Sequence, residues 1–379
     1  MEQPAPIPGL PELRTQIDAV DAQLLELLSR RAQLSLAVGQ AKAKAGNARV
    51  YDAAREAQLL ASLAERNPGP LSAEHIEAVW REIMSASRAL QKPCTVAYLG
   101  PEGTFSYFAA ASALGSSSRF VPCRDFAEIF HRVESGDCDM GFIPLENSIH
   151  GTITQSFDLF ARHRVRISAE FYSRIANSLL SHEADLAAVR TVYSHAQPLG
   201  QCAEWLRAHL PQAHLVSVDS TAAAAQRAAQ EEGAASIGHR SMAFKLGMNV
   251  LADNIQDDSA NWTRFVLIEA GADQRRGAAP QNAKSSLLFT VANKAGSLSR
   301  VLDVFSAHHV NMTKLESRPL KGACWNYVFF ADVECDLDTP SYAPLLTELD
   351  EHCTSVRVLG CYPAGPHLDP ASSTTGDLR

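Results

Sequence analysis

Two hydrophobic rhythms meet at Pro93, and they limit what each part of this chain can fold into. Before that proline, apolar residues recur at three- and four-residue steps: Leu13, Ile17, Val20, Leu24, Leu27, Leu28, Leu34 and Val38. A stripe at this spacing predicts one long amphipathic helix over 10–36, with the first break at Gly39. A second helical stretch follows over about 52–66 and stops at Asn67-Pro68-Gly69-Pro70. A third begins at Ser72 and ends near Gln91-Lys92-Pro93. Two short helices do not cover the stripe of a long one, so the pattern predicts that a second copy of the chain does.

After Pro93 the apolar residues come in short runs, at 96–99, 140–143, 189–193, 234–237 and 265–268, separated by helix-like segments. That rhythm predicts an α/β sheet. Residues 271–283, rich in Gly, Ala, Gln and charge, read as a linker. Beyond it the pattern gives strand 286–292, helix 297–308, strands 310–317 and 325–333, helix 342–352 and strand 356–361, the βαββαβ order of a ferredoxin-like α+β unit. The 379 residues exceed what one ordinary core holds. They divide into a helical domain 1–92, an α/β domain 94–272, an α+β domain 285–363 and a polar tail 364–379.

Charge and cysteine usage bear on partners. A net charge of -8 argues against nucleic acid and for small metabolites. No run is long and apolar enough for a bilayer, and the N-terminus, with Glu2, Pro4, Pro6 and Pro8, carries no readable secretory signal. The eight cysteines stand singly, without a CxxC pair or a histidine at metal spacing. Neither a disulfide framework nor a metal site is expected, and a reducing cytoplasm fits.

Two polar constellations stand out. In the helical part, Arg31 and Lys42 lie eleven residues apart, which returns them to within about 20° of one another on a helix. Ser87 and Gln91 stand at i and i+4, as do Asp52 and Glu56 with Arg55 between them. Spacing alone leaves a solvated face and a binding face both open. In the α/β part, Asn261-Trp262-Thr263-Arg264-Phe265 precedes an apolar strand, and a second strand runs into Gly100-Pro101-Glu102-Gly103-Thr104-Phe105-Ser106. Between them lie Glu146-Asn147-Ser148 leading to Gly151-Thr152, Ser194-His195 leading to Gln197 and Gln201, and Asp219-Ser220-Thr221. Glu146-Asn147-Ser148 and Asp219-Ser220-Thr221 are each also what a helix cap looks like, and His195 what a core histidine looks like; capping is the preferred reading for Asp219 and Ser220.

The helical set, Arg14, Arg31, Lys42, Asp52, Arg55, Glu56, Ser87 and Gln91, resembles in order and spacing the site residues of the all-helical chorismate mutases. Chorismate is a dianion whose rearrangement to prephenate is unimolecular, so the resemblance implies catalysis by positioning and electrostatic stabilisation, without cofactor. It implies that Arg14 and Arg31 grip carboxylates, and that Lys42 and Gln91 donate to the ether oxygen. Glu56, with Asp52, would hold the ring hydroxyl, with Arg55 beside them, and Ser87 a ring carboxylate. In that family Arg14 reaches the partner subunit's site, which implies a homodimer; pairing of dimers into tetramers is left open.

The α/β motifs resemble the prephenate dehydratases, whose fold has two lobes like a periplasmic binding protein. Loss of carbon dioxide and of the ring hydroxyl from prephenate makes an aromatic ring, which supplies the driving force. What remains is a positioned donor. The resemblance implies Thr263 in that role, Asn147 and Gln201 as hydrogen-bonding partners, and Glu146 as a relay if burial raises its pKa. Thr104 and Ser106 are expected to contact carboxylate or hydroxyl groups, and Arg264 to pair a carboxylate or brace the loop. If Thr104 and Thr263 share one lobe and Gln201 stands on the other, the site is a cleft between lobes.

The last unit, with Ala295-Gly296-Ser297-Leu298 opening a helix and Leu315-Glu316-Ser317-Arg318-Pro319 after it, resembles the phenylalanine-binding ACT domain. Gly296, Ser297, Leu298, Glu316, Ser317 and Arg318 are the implied effector contacts. The combined expectation is a chorismate mutase joined to a prephenate dehydratase, forming phenylpyruvate under L-phenylalanine control. Two alternatives remain at this stage: an arogenate-preferring dehydratase, and a non-catalytic amino-acid sensor.

Overall fold

The computed structural model describes residues 9–45, 51–271, 282–319 and 327–368. Most of the expected linker, residues 272–281, lies outside that set.

The helical part is α1 (Leu10–Lys44), α2 (Ala53–Glu65) and α3 (Ala73–Gln91). Asp52 caps α2 by accepting the Arg55 N–H, and Ser72 caps α3 by accepting that of His75. Gly39, the first break in the stripe, does not end α1, which runs on past Lys42 as the shared face of Arg31 and Lys42 requires. A side chain there would come within 3.1 Å of Gln91, so the glycine sits inside the helix where α1 and α3 approach most closely. No residue of α1 is buried, and Leu24 and Leu27 are 50% and 61% exposed. The stripe that predicted this helix is therefore uncovered within one chain.

The α/β part forms two lobes. The first comprises β1 (Thr95–Leu99), α4 (Phe105–Leu114), β2 (Arg119–Cys123), α5 (Phe126–Glu134), β3 (Met140–Asn147), β4 (Gly151–Thr152), α6 (Thr154–Phe160) and β5 (Val165–Arg174). The second comprises β6 (Ser178–Ser181), β7 (Thr191–Ser194), α7 (Ala196–Gln201), α8 (Ala203–His209), β8 (His214–Ser217), α9 (Thr221–Ala228), β9 (Ala234–Gly238), α10 (Ser241–Leu246) and β10 (Asn249–Ala252). The chain then returns to the first sheet as β11 (Trp262–Ala270), antiparallel between β3 and β5. Two crossovers, 175–177 and 253–261, thus join the lobes, the connectivity of a hinged pair. The second sheet has the order β10-β6-β9-β7-β8.

The α+β part is β12 (Ala283–Thr290), α11 (Ser297–Ala307), β13 (Met312–Pro319), β14 (Tyr327–Val333), α12 (Ala343–His352) and β15 (Ser355–Pro363). Its order β13-β14-β12-β15, all antiparallel, is that of a ferredoxin-like sheet. One face carries the helices around Leu287, Phe289, Phe329 and Ala331. The other packs Leu288, Phe330 and Leu359 into the core of the first lobe, against Phe157 and Phe160.

The expected polar tail is corrected at its start: β16 (His367–Leu368) adds to the first sheet beside β5, so that sheet runs β16-β5-β11-β3-β1-β2. Two glycines permit this. A Cβ at Gly360 would lie 2.0 Å from Ile167 O, and one at Gly365 2.2 Å from Glu170 O, so only glycine lets the closing segment lie against β5.

Candidate active sites

In the helical part, a guanidinium nitrogen of Arg31 donates to Ser87 Oγ, which in turn donates to Ile83 O. Gln91 Oε1 is buried and without a partner among the described residues, on the same face of α3 that meets Gly39. Arg31, Lys42, Ser87 and Gln91 thus line the α1–α3 side, while Arg14 and Arg55 stand exposed. Two members are already engaged. One oxygen of the Asp52 carboxylate accepts the Arg55 N–H of its cap. That of Glu56 is ion-paired with Arg88, whose other nitrogen donates to Leu114 O of the α/β part. Burial pushes the Glu56 carboxyl above its usual range, against the pull of Arg88. Arg88, which sequence reading passed over, therefore ties one expected mutase residue to the neighbouring domain.

Between the lobes, strand pairing sets Thr263 on β11 opposite Asn147 on β3. Asn147 Nδ2 donates to Thr263 Oγ1 at 2.9 Å, and both side chains are buried. Across the gap, Gln201 ends α7 of the second lobe. It accepts from Asn177 Nδ2 at 3.3 Å and lies 3.1 Å from His150 Nε2, on the turn after β3. Thr263 and Asn147 therefore stand on the first lobe and Gln201 on the second. A cavity of about 360 Å³ also opens between lobes, lined by Phe105, Phe108, Ser173, His239, Arg240 and Phe244, on the α4 side of the sheet.

Of four further expected site residues, Thr104, Arg264 and Glu146 are engaged within the protein. Thr104 caps α4: its hydroxyl donates toward Leu99 O and Pro101 O and accepts the Tyr107 N–H, so its hydrogen is committed to the loop. Ser106 stands half-buried one residue into that helix. Arg264 points away from Thr263, because neighbours on a strand face opposite sides. It is 5% exposed and bonds Glu170 at 2.8 Å, Asp332 of β14, and the Tyr362 hydroxyl of β15 at 3.2 Å. Its guanidinium thus joins the first lobe to the α+β part and is not a substrate contact. Glu146 is half-exposed and paired with Lys314 of β13 at 2.8 Å, so the burial its relay role requires is absent.

The expected effector residues also separate. The register of β13 with β14 puts Lys314, Glu316 and Arg318 beside Asp332, Phe330 and Val328, on the face toward the first lobe. Glu316 accepts from Thr152 at 3.1 Å, and Arg318 lies 3.7 Å from Asp158. Ser317 points to the opposite, helix-bearing face. There Gly296, at φ +79, precedes α11, with Ser297 buried and Leu298 packed on the helix core.

Comparison with known proteins follows this division. Residues 13–92 match the chorismate mutase type II family, 96–273 the prephenate dehydratase family and 285–350 the ACT domain. A bifunctional chorismate mutase/prephenate dehydratase of Aquifex aeolicus is 37% identical over 93% of this chain and 98% of its own length. The chain belongs to the bifunctional chorismate mutase/prephenate dehydratase family. Among solved structures, a prephenate dehydratase of Arthrobacter aurescens in complex with L-Phe is similar at TM-score 0.63 and 30% identity, over 71% of this chain and 90% of that one. A protein described as a novel type of quorum-quenching acylase is similar at TM-score 0.65 and 26% identity, over 71% and 97%. In this bifunctional chorismate mutase/prephenate dehydratase, the dehydratase match begins within β1 and ends beyond β11, so it takes in both lobes. Sequence reading of the family member missed Asn177, Asn261 and His150 at the cleft. Asn261 alone carried a signal, as part of the segment that holds Thr263.

Proposed function

We propose that this chain rearranges chorismate to prephenate in its helical part and converts prephenate to phenylpyruvate between its lobes. In the first reaction Arg31, and Arg14 from a partner subunit, hold the carboxylates while Lys42 and Gln91 stabilise charge on the ether oxygen. For that role Gln91 donates through Nε2, on the face of α3 that meets Gly39, where its side-chain oxygen is buried. In the second, the bond between the ring and its carboxylate breaks and releases carbon dioxide, the electron pair enters the ring, and the hydroxyl leaves as water with a proton given by Thr263, which regains one from solvent. The observation that carries this reading is the buried Asn147–Thr263 pair on the first lobe, with Gln201 of the second lobe 3.1 Å from His150 on the turn after Asn147. L-Phenylalanine is the proposed effector, bound at the start of α11.

The uncovered stripe of α1 supports a homodimer. The domain limits that go with this reading are 1–92, 94–272 and 285–363. A spectroscopic assay for phenylpyruvate, with chorismate as sole substrate, tests both steps; formation of prephenate alone would reject the second. Comparing rates on prephenate and arogenate fixes the preferred substrate, and an inert chain would favour a sensor.

A further inference from the structure

For Thr263 to give up its proton, that proton must not already be committed. Asn147 settles this. Its Oδ1 accepts the backbone N–H groups of Ile149 at 3.1 Å and His150 at 3.0 Å. Those two donors fix which end of the amide is which. The two hydrogens on Nδ2 therefore face Asn261 Oδ1 at 2.8 Å and Thr263 Oγ1 at 2.9 Å, with Trp262 O at 3.1 Å sharing one of them. Thr263 accepts from Asn147, and its own hydrogen stays available.

Asn261 is fully buried at the end of the second crossover. Its backbone carbonyl accepts the Ile175 N–H of the first crossover at 2.8 Å, which ties the two together. Because its Oδ1 must be the acceptor toward Asn147, its Nδ2 points elsewhere, and no partner for it exists among the described residues. A buried donor left unmatched costs stability, so an apolar residue of this size would suit the fold better. The benefit has to lie in the acceptor.

We propose that Asn261 is a positioning residue of the dehydratase site. Its side-chain carbonyl takes one hydrogen of Asn147, so the other is aimed at Thr263 and the Thr263 proton is left for the departing hydroxyl. Asn261 acts through Asn147 and does not touch the substrate. This inference rests on the dehydratase reading above.

The test uses the full chain, prephenate turnover, and mutase turnover of the same samples as a control for folding. Asn261→Leu should lower dehydratase kcat about 30-fold, with KM within about twofold and mutase rates unchanged. Asn261→Asp, which keeps an acceptor oxygen, should recover to within about fivefold of wild type. In a Thr263→Ala background, Asn261→Leu should cost less than about twofold further, since residues acting as one unit are non-additive. Wild-type kcat in Asn261→Leu, an Asp variant no better than Leu, or a full multiplicative loss in the Thr263→Ala background would each overturn the proposal. If Asn261→Leu also lowers mutase rates, Asn261→Ala replaces it with the same expected outcomes. Absence of phenylpyruvate formation by the wild-type chain would instead sink the dehydratase reading, which keeps the two failures apart.

Discussion

At the scale of residues, Thr263 and Lys42 are separable probes because they lie in different domains of one chain. Thr263→Ala should lower dehydratase turnover by about 100-fold or more with a modest change in KM, as expected for a contact made mainly in the transition state. Lys42→Ala should remove mutase activity and leave dehydratase activity intact; equal loss of both would contradict the modular division. His239 supplies a pH probe. Its ring stacks on Phe108 of the other lobe at 4.2 Å and meets Phe105 edge-on. Burial holds its pKa down to about 4 from 6.5, with Arg240 adding to the effect and Asp253 opposing it. A depressed histidine pKa means the unfolded chain binds the extra proton first. Stability is then complete above pH 6.5 and falls as pH drops from 6.5 toward 4, by on the order of 3 kcal/mol. Urea denaturation at several pH values should show that slope, and His239→Gln should flatten it. None of this was legible in sequence, because a histidine's pKa depends on what packs around it.

At the scale of elements, strand alternation explains both what was legible and what was not. Thr263 and Asn147 were readable as a pair of motifs, and the β3–β11 register brings them together. Arg264, left open between a carboxylate contact and a brace, proves to be a brace for the same reason. One residue along a strand reverses the direction of a side chain, and sequence does not say what lies on the far face. That face meets Glu170, Asp332, Tyr362 and, through Glu170, Lys284 at 2.9 Å. Removing one partner from such a buried set leaves the others uncompensated. Arg264→Met should therefore destabilise by about 3 kcal/mol, measured by thermal or urea unfolding, whereas Thr263→Ala, which removes one buried hydrogen bond, should cost about 1 kcal/mol in that assay. The strands that sequence reading missed, such as β2, β8 and β10, are short. β5 escaped because Arg166, Glu170 and Arg174 interrupt its apolar residues; two of these are recruited by partners from distant parts of the chain, Asp338 and Arg264.

At the scale of the whole molecule, the uncovered α1 and the packing of the α+β part on the first lobe carry the remaining expectations. Leu24→Lys should convert a dimer to monomers in sedimentation and reduce mutase activity, because Arg14 would no longer reach a neighbouring site. L-Phenylalanine should inhibit dehydratase turnover; a flat response to millimolar concentrations would reject the effector role. Two ion pairs, Arg264 with Asp332 and Lys314 with Glu146, join the α+β part to the first lobe. Sequence by itself determined the two hydrophobic rhythms, the ferredoxin-like order and the motifs that hold Thr263, Asn147 and Gln201. Those follow from period and local chemistry, which neighbouring residues carry. Only the tertiary structure decided that Arg264, Glu146, Glu316 and Glu56 look across domain boundaries, and that Asn261 stands behind Asn147. Their partners are brought by segments remote in sequence, and no local pattern records which face of a strand or helix will meet them.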